Sequence, residues 1–112
     1  MTVEEFEHMV YASVDRSTIC DSPFIVRQRG PSIKLRIDLL VGGFIEAYYN
    51  EETGTTAYAL IQNGIRTFGA DNATSWHYHS FESPGLHIAL RTEMKFAEFL
   101  GEVERRLSQE LS

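Results

Sequence analysis

Two rhythms of apolar residues divide this chain. At the N-terminus, Val3, Phe6, Met9, Val10 and Val14 recur at helical spacing. They follow Thr2-Val3-Glu4-Glu5, a capping-box pattern with Thr2 as N-cap and Glu5 reaching back. The spacing predicts a helix that stops before the polar run 15–22. From residue 24 the period becomes two. A strand is predicted over 24–29, closed by Gly30-Pro31, and another over 33–41, where Ile33, Leu35, Ile37, Leu39 and Val41 alternate with Lys34, Arg36, Asp38 and Leu40. Gly42-Gly43 predicts a tight hairpin turn into a strand over 44–50, and residues 51–54 turn into a strand over 55–62. Asn63-Gly64 is a strong hairpin signal, because both central positions of a type I′ turn need positive φ, and a fifth strand follows over 65–70. Residues 86–90 can add a short sixth. Helical spacing then resumes behind Thr92 as N-cap, with Phe96, Leu100, Val103, Leu107 and Leu111 on one face and Glu102–Arg106 as an exposed i,i+4 pair. Links this short join neighbours antiparallel. The expected fold is a single α+β domain over 1–112: an antiparallel meander sheet of five to six strands, with N- and C-terminal helices packed on it.

Composition narrows the setting. No apolar run approaches the ~18 residues of a membrane span. The acidic start MTVEEFEH lacks the basic-then-apolar pattern of a signal peptide, so the chain is expected in the cytoplasm. Cys20 is the only cysteine, which rules out an intrachain disulfide and a Cys-rich zinc site. The net charge of −6 disfavours diffuse binding to phosphate backbones. Arg27, Arg29, Lys34, Arg36, Arg66 and Arg91 nevertheless lie in the strand-rich middle, while many acids lie in the terminal segments, so a local basic surface stays open. No P-loop, G-x-S-x-G, HEXXH or dinucleotide fingerprint is present.

Chemistry collects in one stretch, 68–87. It holds three of the four histidines (His77, His79, His87) together with Asp71, Asn72, Glu82 and the single tryptophan, Trp76. In an extended His77-Tyr78-His79 the two imidazoles share a face, about 6.6 Å apart along the backbone. They can serve as an acid–base pair, with Asp71 orienting one ring. They can also join His87, Asp71 or Glu82 around a divalent metal. The plainer alternative is two surface histidines beside an aromatic cluster. Asp71-Asn72 can equally be a turn formed by backbone-bonding side chains. Trp76 is either a core or lid residue or a stacking platform, and Arg66 either a solvated charge or an anion clamp. As a loop residue, His79 is expected to contribute little packing.

The order of elements, and above all Tyr58, Gly64, Phe68, Asp71, Asn72, His77, His79 and His87, resembles the TumE-type family of small toxin–antitoxin proteins. In that family a strand ends in an aromatic residue followed shortly by Asp-Asn, and a histidine-rich loop comes next. The family's D-N-A-P-H-H run stands here as Asp71-Asn72-Ala73 followed by Thr74-Ser75-Trp76, with the histidines later. The resemblance implies a toxin acting on RNA, with an antitoxin protein as partner. Under that reading His77 and His79 are base and acid, Asp71 is the orienting group, Arg66, Trp76 and Asn72 contact substrate, and no cofactor is required. Two other readings stay open: a metal-binding module using His77, His79 and His87, and an interaction protein, homo-oligomeric or partnered, whose sheet docks another chain.

Overall fold

One face of a seven-stranded antiparallel sheet carries both helices. The computed structural model describes residues 1–82, 88–90 and 92–111, the side chains of 110 and 111 excepted. The elements are α1 (Val3–Asp15), β1 (Phe24–Arg29), β2 (Ser32–Asp38), β3 (Phe44–Asn50), β4 (Thr56–Gln62), β5 (Ile65–Asp71), β6 (His77–His79), β7 (Ile88–Ala89) and α2 (Phe96–Leu111). The strands lie side by side in chain order, an unbroken meander.

The capping box closes as the sequence predicts. Glu5 N donates to Thr2 Oγ1 at 3.1 Å and Thr2 N donates to Glu5 Oε1 at 2.9 Å. Each bond satisfies a donor that the first helical turn leaves without a partner. Tyr49 then ties α1 to β3, its hydroxyl donating to Met1 O at 2.7 Å. The Gly42-Gly43 and Asn63-Gly64 turns take the positive φ the hairpins demand: 103°, 79°, 53° and 76° in order.

The register explains which side is core. Ile33↔Tyr49, Leu35↔Ala47 and Ile37↔Ile45 pair across β2–β3, Ala47↔Tyr58 and Ile45↔Leu60 across β3–β4, and Tyr58↔Ala70 and Leu60↔Phe68 across β4–β5. Directly paired residues share a face. These apolar positions therefore form one buried surface, covered by Phe6 and Val10 of α1 and by Phe96, Phe99 and Val103 of α2. Each fully buried Val, Leu, Ile or Phe side chain among them contributes about 1.5–3 kcal/mol.

Four expectations need correction. The strand predicted over 33–41 ends at Asp38, because residues 39–43 close the hairpin: Leu39 N donates to Gly43 O and Gly42 N to Leu39 O, both at 3.0 Å. The segment read as a loop after residue 70 contains β6, which makes seven strands among the described residues instead of five or six. Thr92 is not the cap of the last helix. That helix begins at Phe96, with Lys95 O accepting from Phe99 N at 3.1 Å and Lys95 N donating to Glu98 Oε1 at 3.0 Å. Glu102 pairs with Arg105 at 2.6 Å instead of Arg106. Arg106 is drawn over the Phe81 ring, 4.8 Å from its centroid, and bonds Glu82 at 2.8 Å.

Candidate functional site

The face of the sheet away from the helices carries the polar cluster. Asp71 closes β5 and pairs directly with His77 on β6, while His79 pairs with Gly69. Cross-strand pairing places Asp71 and His77 side by side, and His79 stands one diagonal step away. Because Gly69 has no side chain, the His79 ring can lean toward Asp71. His77 and His79 are both buried, at 9% and 2% exposure, and Asp71 is half-buried.

Asp71 Oδ1 lies 3.3 Å from His77 Nε2, and Asp71 Oδ2 lies 3.6 Å from His79 Nε2. The two rings meet edge to face, with centroids 5.4 Å apart and planes at 70°. Each ring is also held at its other nitrogen. His77 Nδ1 is 2.8 Å from Ser75 O; a carbonyl only accepts, so Nδ1 carries a proton. Nε2 of a neutral His77 is then a lone pair aimed at a carboxylate oxygen, an arrangement that a cation between them stabilises, whether a proton or a metal ion. Arg66 Nη2 lies 3.3 Å from His79 Nδ1; guanidinium only donates, so Nδ1 accepts and the proton of the neutral ring sits on Nε2, facing Asp71.

Arg66 reaches His79 through a local irregularity. The β4–β5 register shifts between Leu60 and Ile61, so Ile61 pairs with Arg66 while Ala59 pairs with Gly69. The extra residue of this bulge brings Arg66 onto the same face as Gly69 and Asp71. Gly69 also leaves a path for the arginine. A Cβ there would sit 3.3 Å from Arg66 Cδ and 3.1 Å from Tyr58 O.

The structure thus gathers Asp71, His77, His79 and Arg66. It sets Trp76 and Asn72 elsewhere. Trp76 is half-buried against the core, its ring 6.2 Å from that of Tyr58. Asn72 clasps the start of β4: its Oδ1 accepts from Thr56 N at 2.7 Å and its Nδ2 donates to Gly54 O at 3.0 Å. Glu82 is engaged by Arg106. His87 and Arg91 lie outside the described residues. Sequence reasoning missed two contributors, Gly69 and the carbonyl of Ser75. Glycine within a strand pattern is a signal of close approach and could have indicated the first; a backbone carbonyl has no side-chain signature.

The same cluster has donor atoms for a metal. Its three ligand atoms lie within 4.8 Å of one another. A tetrahedral zinc with bonds of about 2.1 Å separates its ligands by about 3.4 Å, and the 3.3 and 3.6 Å contacts bracket that value. The Ser75 carbonyl on His77 is the kind of outer contact that fixes a metal-binding imidazole. Arg66 opposes it, since His79 can offer Nε2 as a ligand only if Nδ1 takes the proton and the guanidinium moves off. No family model, curated protein or solved structure matches this chain.

Proposed function

We propose that this chain is the toxin of a toxin–antitoxin pair and cleaves RNA through Asp71, His77, His79 and Arg66 by acid–base chemistry. The observation that supports this most is the His77–Asp71 contact: a tautomer fixed by Ser75 aims one imidazole nitrogen at a carboxylate that is itself partly open to solvent. Asp71 is the more exposed of the two, at 21% of its side chain against 11% for His77. Asp71 therefore meets the substrate and His77 stands behind it. The pair can accept one proton and hold it between Oδ1 and Nε2. In RNA that proton comes from the ribose 2′-hydroxyl. The 2′-oxygen attacks phosphorus, the bond to the 5′-oxygen breaks, and the leaving oxygen takes a proton from a water that is reprotonated by the Asp71–His77 pair, giving a 2′,3′-cyclic phosphate and a 5′-hydroxyl. Arg66, exposed at the rim, neutralises charge on the phosphate oxygens. His79 positions both: it contacts Asp71 with one nitrogen and Arg66 with the other. The setting that goes with this reading is cytoplasmic, with an antitoxin protein as partner.

The test is cleavage of a single-stranded RNA by purified protein, with product ends identified, alongside growth inhibition on expression. Asp71→Asn and His77→Gln are each expected to lower cleavage about 100- to 10,000-fold, the usual contribution of an acid–base group, with melting transitions that stay cooperative. Wild-type protein that leaves RNA intact and growth unaffected refutes the proposal. A metal-binding reading is favoured by the two Asp71–imidazole distances, 3.3 and 3.6 Å, which match ligand spacing around a zinc ion. It requires zinc to bind at about one ion per chain, to raise the melting temperature by linkage and to weaken below pH ~6. Calorimetry that detects no binding removes it.

A further inference from the structure

Cross-strand partners link six residues into a single row on the helix-free face: Arg27, Lys34, Tyr48, Ala57, Asp71 and His77, one from each of β1 to β6. With strands about 4.8 Å apart, the row runs roughly 24 Å from Arg27 to His77. A parallel row holds Arg36, Glu46, Ala59, Gly69 and His79. Small residues therefore form the floor between Tyr48 and Asp71, namely Ala57, Ala59 and Gly69. A cavity of about 340 Å³ opens over the alanine part of that floor, lined by Arg27, Lys34, Glu46, Tyr48, Ala57, Tyr58 and Ala59.

We infer that this trough seats a single-stranded RNA and feeds it to Asp71, an inference that rests on the RNA-cleaving reading of the site. Arg27 and Lys34 supply positive charge at the far end, and Arg66 supplies it at the near end. Arg36 is committed elsewhere: it bonds Asp38 at 2.8 Å and stacks 3.7 Å over the Phe44 ring. Glu46 is the acid inside the cavity, and it limits how many phosphates can lie along the middle of the trough. There the recognising group is Tyr48, a half-buried aromatic residue of the cavity wall that pairs with Ala57 and serves as a stacking partner for a base. An aromatic platform between flanking cations is the chemistry of single-strand binding, where bases stack and cations follow the backbone. A duplex hides its base faces and cannot use the platform. A protein segment would gain little apolar contact from a floor of alanine and glycine.

The test uses Asp71→Asn protein, so that binding is measured without cleavage. Fluorescence anisotropy follows a labelled single-stranded RNA of about 12 nucleotides, and its duplex, across about 50 to 200 mM salt. The single strand is expected to bind at least about tenfold tighter than the duplex. Adding Tyr48→Ala should weaken it about tenfold, while Tyr48→Phe keeps the affinity. Arg27→Ala and Lys34→Ala should each flatten the salt slope by about 0.7. Circular dichroism melts confirm that each variant is folded. If wild-type protein cleaves RNA but none of these substitutions changes binding, the trough assignment falls while the cleavage site stands. Tyr48-dependent binding by a wild-type protein that does not cleave upholds the trough and removes the catalytic reading. Failure to bind single strands at all overturns the assignment and leaves the face to a protein partner.

Discussion

Replacing His79 by alanine tests whether the cluster is a packed part of the fold. His79 is 2% exposed and sits on a strand between two polar partners. Truncation deletes the imidazole, leaves a void beside the equally side-chain-free Gly69, and removes the groups facing Arg66 and Asp71. Arg66 is exposed and can rehydrate. Asp71 is half-buried and recovers only in part. A buried ring-to-methyl change and one lost buried polar contact together cost about 2–3 kcal/mol. With an unfolding entropy of roughly 2.1 cal/mol/K per residue, a chain of 112 residues loses about 4 °C for each kcal/mol, so the melting temperature should fall by about 8–13 °C. His79→Gln, which fills part of the space and keeps a donor and an acceptor, should lose about half as much. Arg66→Ala should shift the transition by less than about 3 °C, since surface substitutions usually stay within about 0.5 kcal/mol. Differential scanning calorimetry at neutral pH decides. A His79→Ala protein melting within about 2 °C of wild type would show that the ring is not held in a buried array, and the site geometry would lose its support.

Gly43→Ala should destabilise by about 2–4 kcal/mol in urea melts, because φ is +79° there and a Cβ would stand 2.6 Å from the backbone carbonyl of Ile61; an unchanged midpoint would contradict the β3–β4 register at that turn. The bond from the Thr2 backbone to Glu5 holds the Glu5 carboxyl below its ordinary value of 4.5. A depressed folded value means that the contribution is complete above the ordinary value and is lost as pH falls through the lowered one. The stability gap between wild type and Glu5→Gln should therefore close on acidification from about pH 6 to about pH 3, and a gap that does not depend on pH would refute this. Burial pushes the Cys20 thiol up, so its reaction with a thiol reagent near neutral pH should be slower than that of free cysteine; an equal rate would place Cys20 in solvent.

The legible part of this molecule is the part decided by local periodicity. The capping box at Thr2 and Glu5, the alternation of Ile33, Leu35 and Ile37, and the positive-φ turns at Gly42-Gly43 and Asn63-Gly64 all act over a few residues. A sequence pattern displays them directly. The shared face of His77 and His79 was also readable, since side chains two apart on an extended chain point the same way. The start of α2 was not. Thr92 has the better capping side chain, but the helix begins at Phe96, where the Glu98 carboxylate accepts from Lys95 N and satisfies a donor of the first turn.

An α+β meander with a helix at each end, and the stretch in which reactive side chains gather, are written in the order of residues along the chain. How that stretch is used depends on the folded sheet. It extended 77–79 as a strand against Asp71 and Gly69, and it turned the histidines away from the helices. It used one extra residue in β5 to bring Arg66 to His79, and it set Trp76 and Asn72 into packing and backbone support. The physical reason is the range of the forces. Turn chemistry and side-chain periodicity are fixed within a few residues of the chain. Whether an imidazole meets a carboxylate, a guanidinium or water depends on strand register, and register is set by the whole sheet burying its apolar face at once.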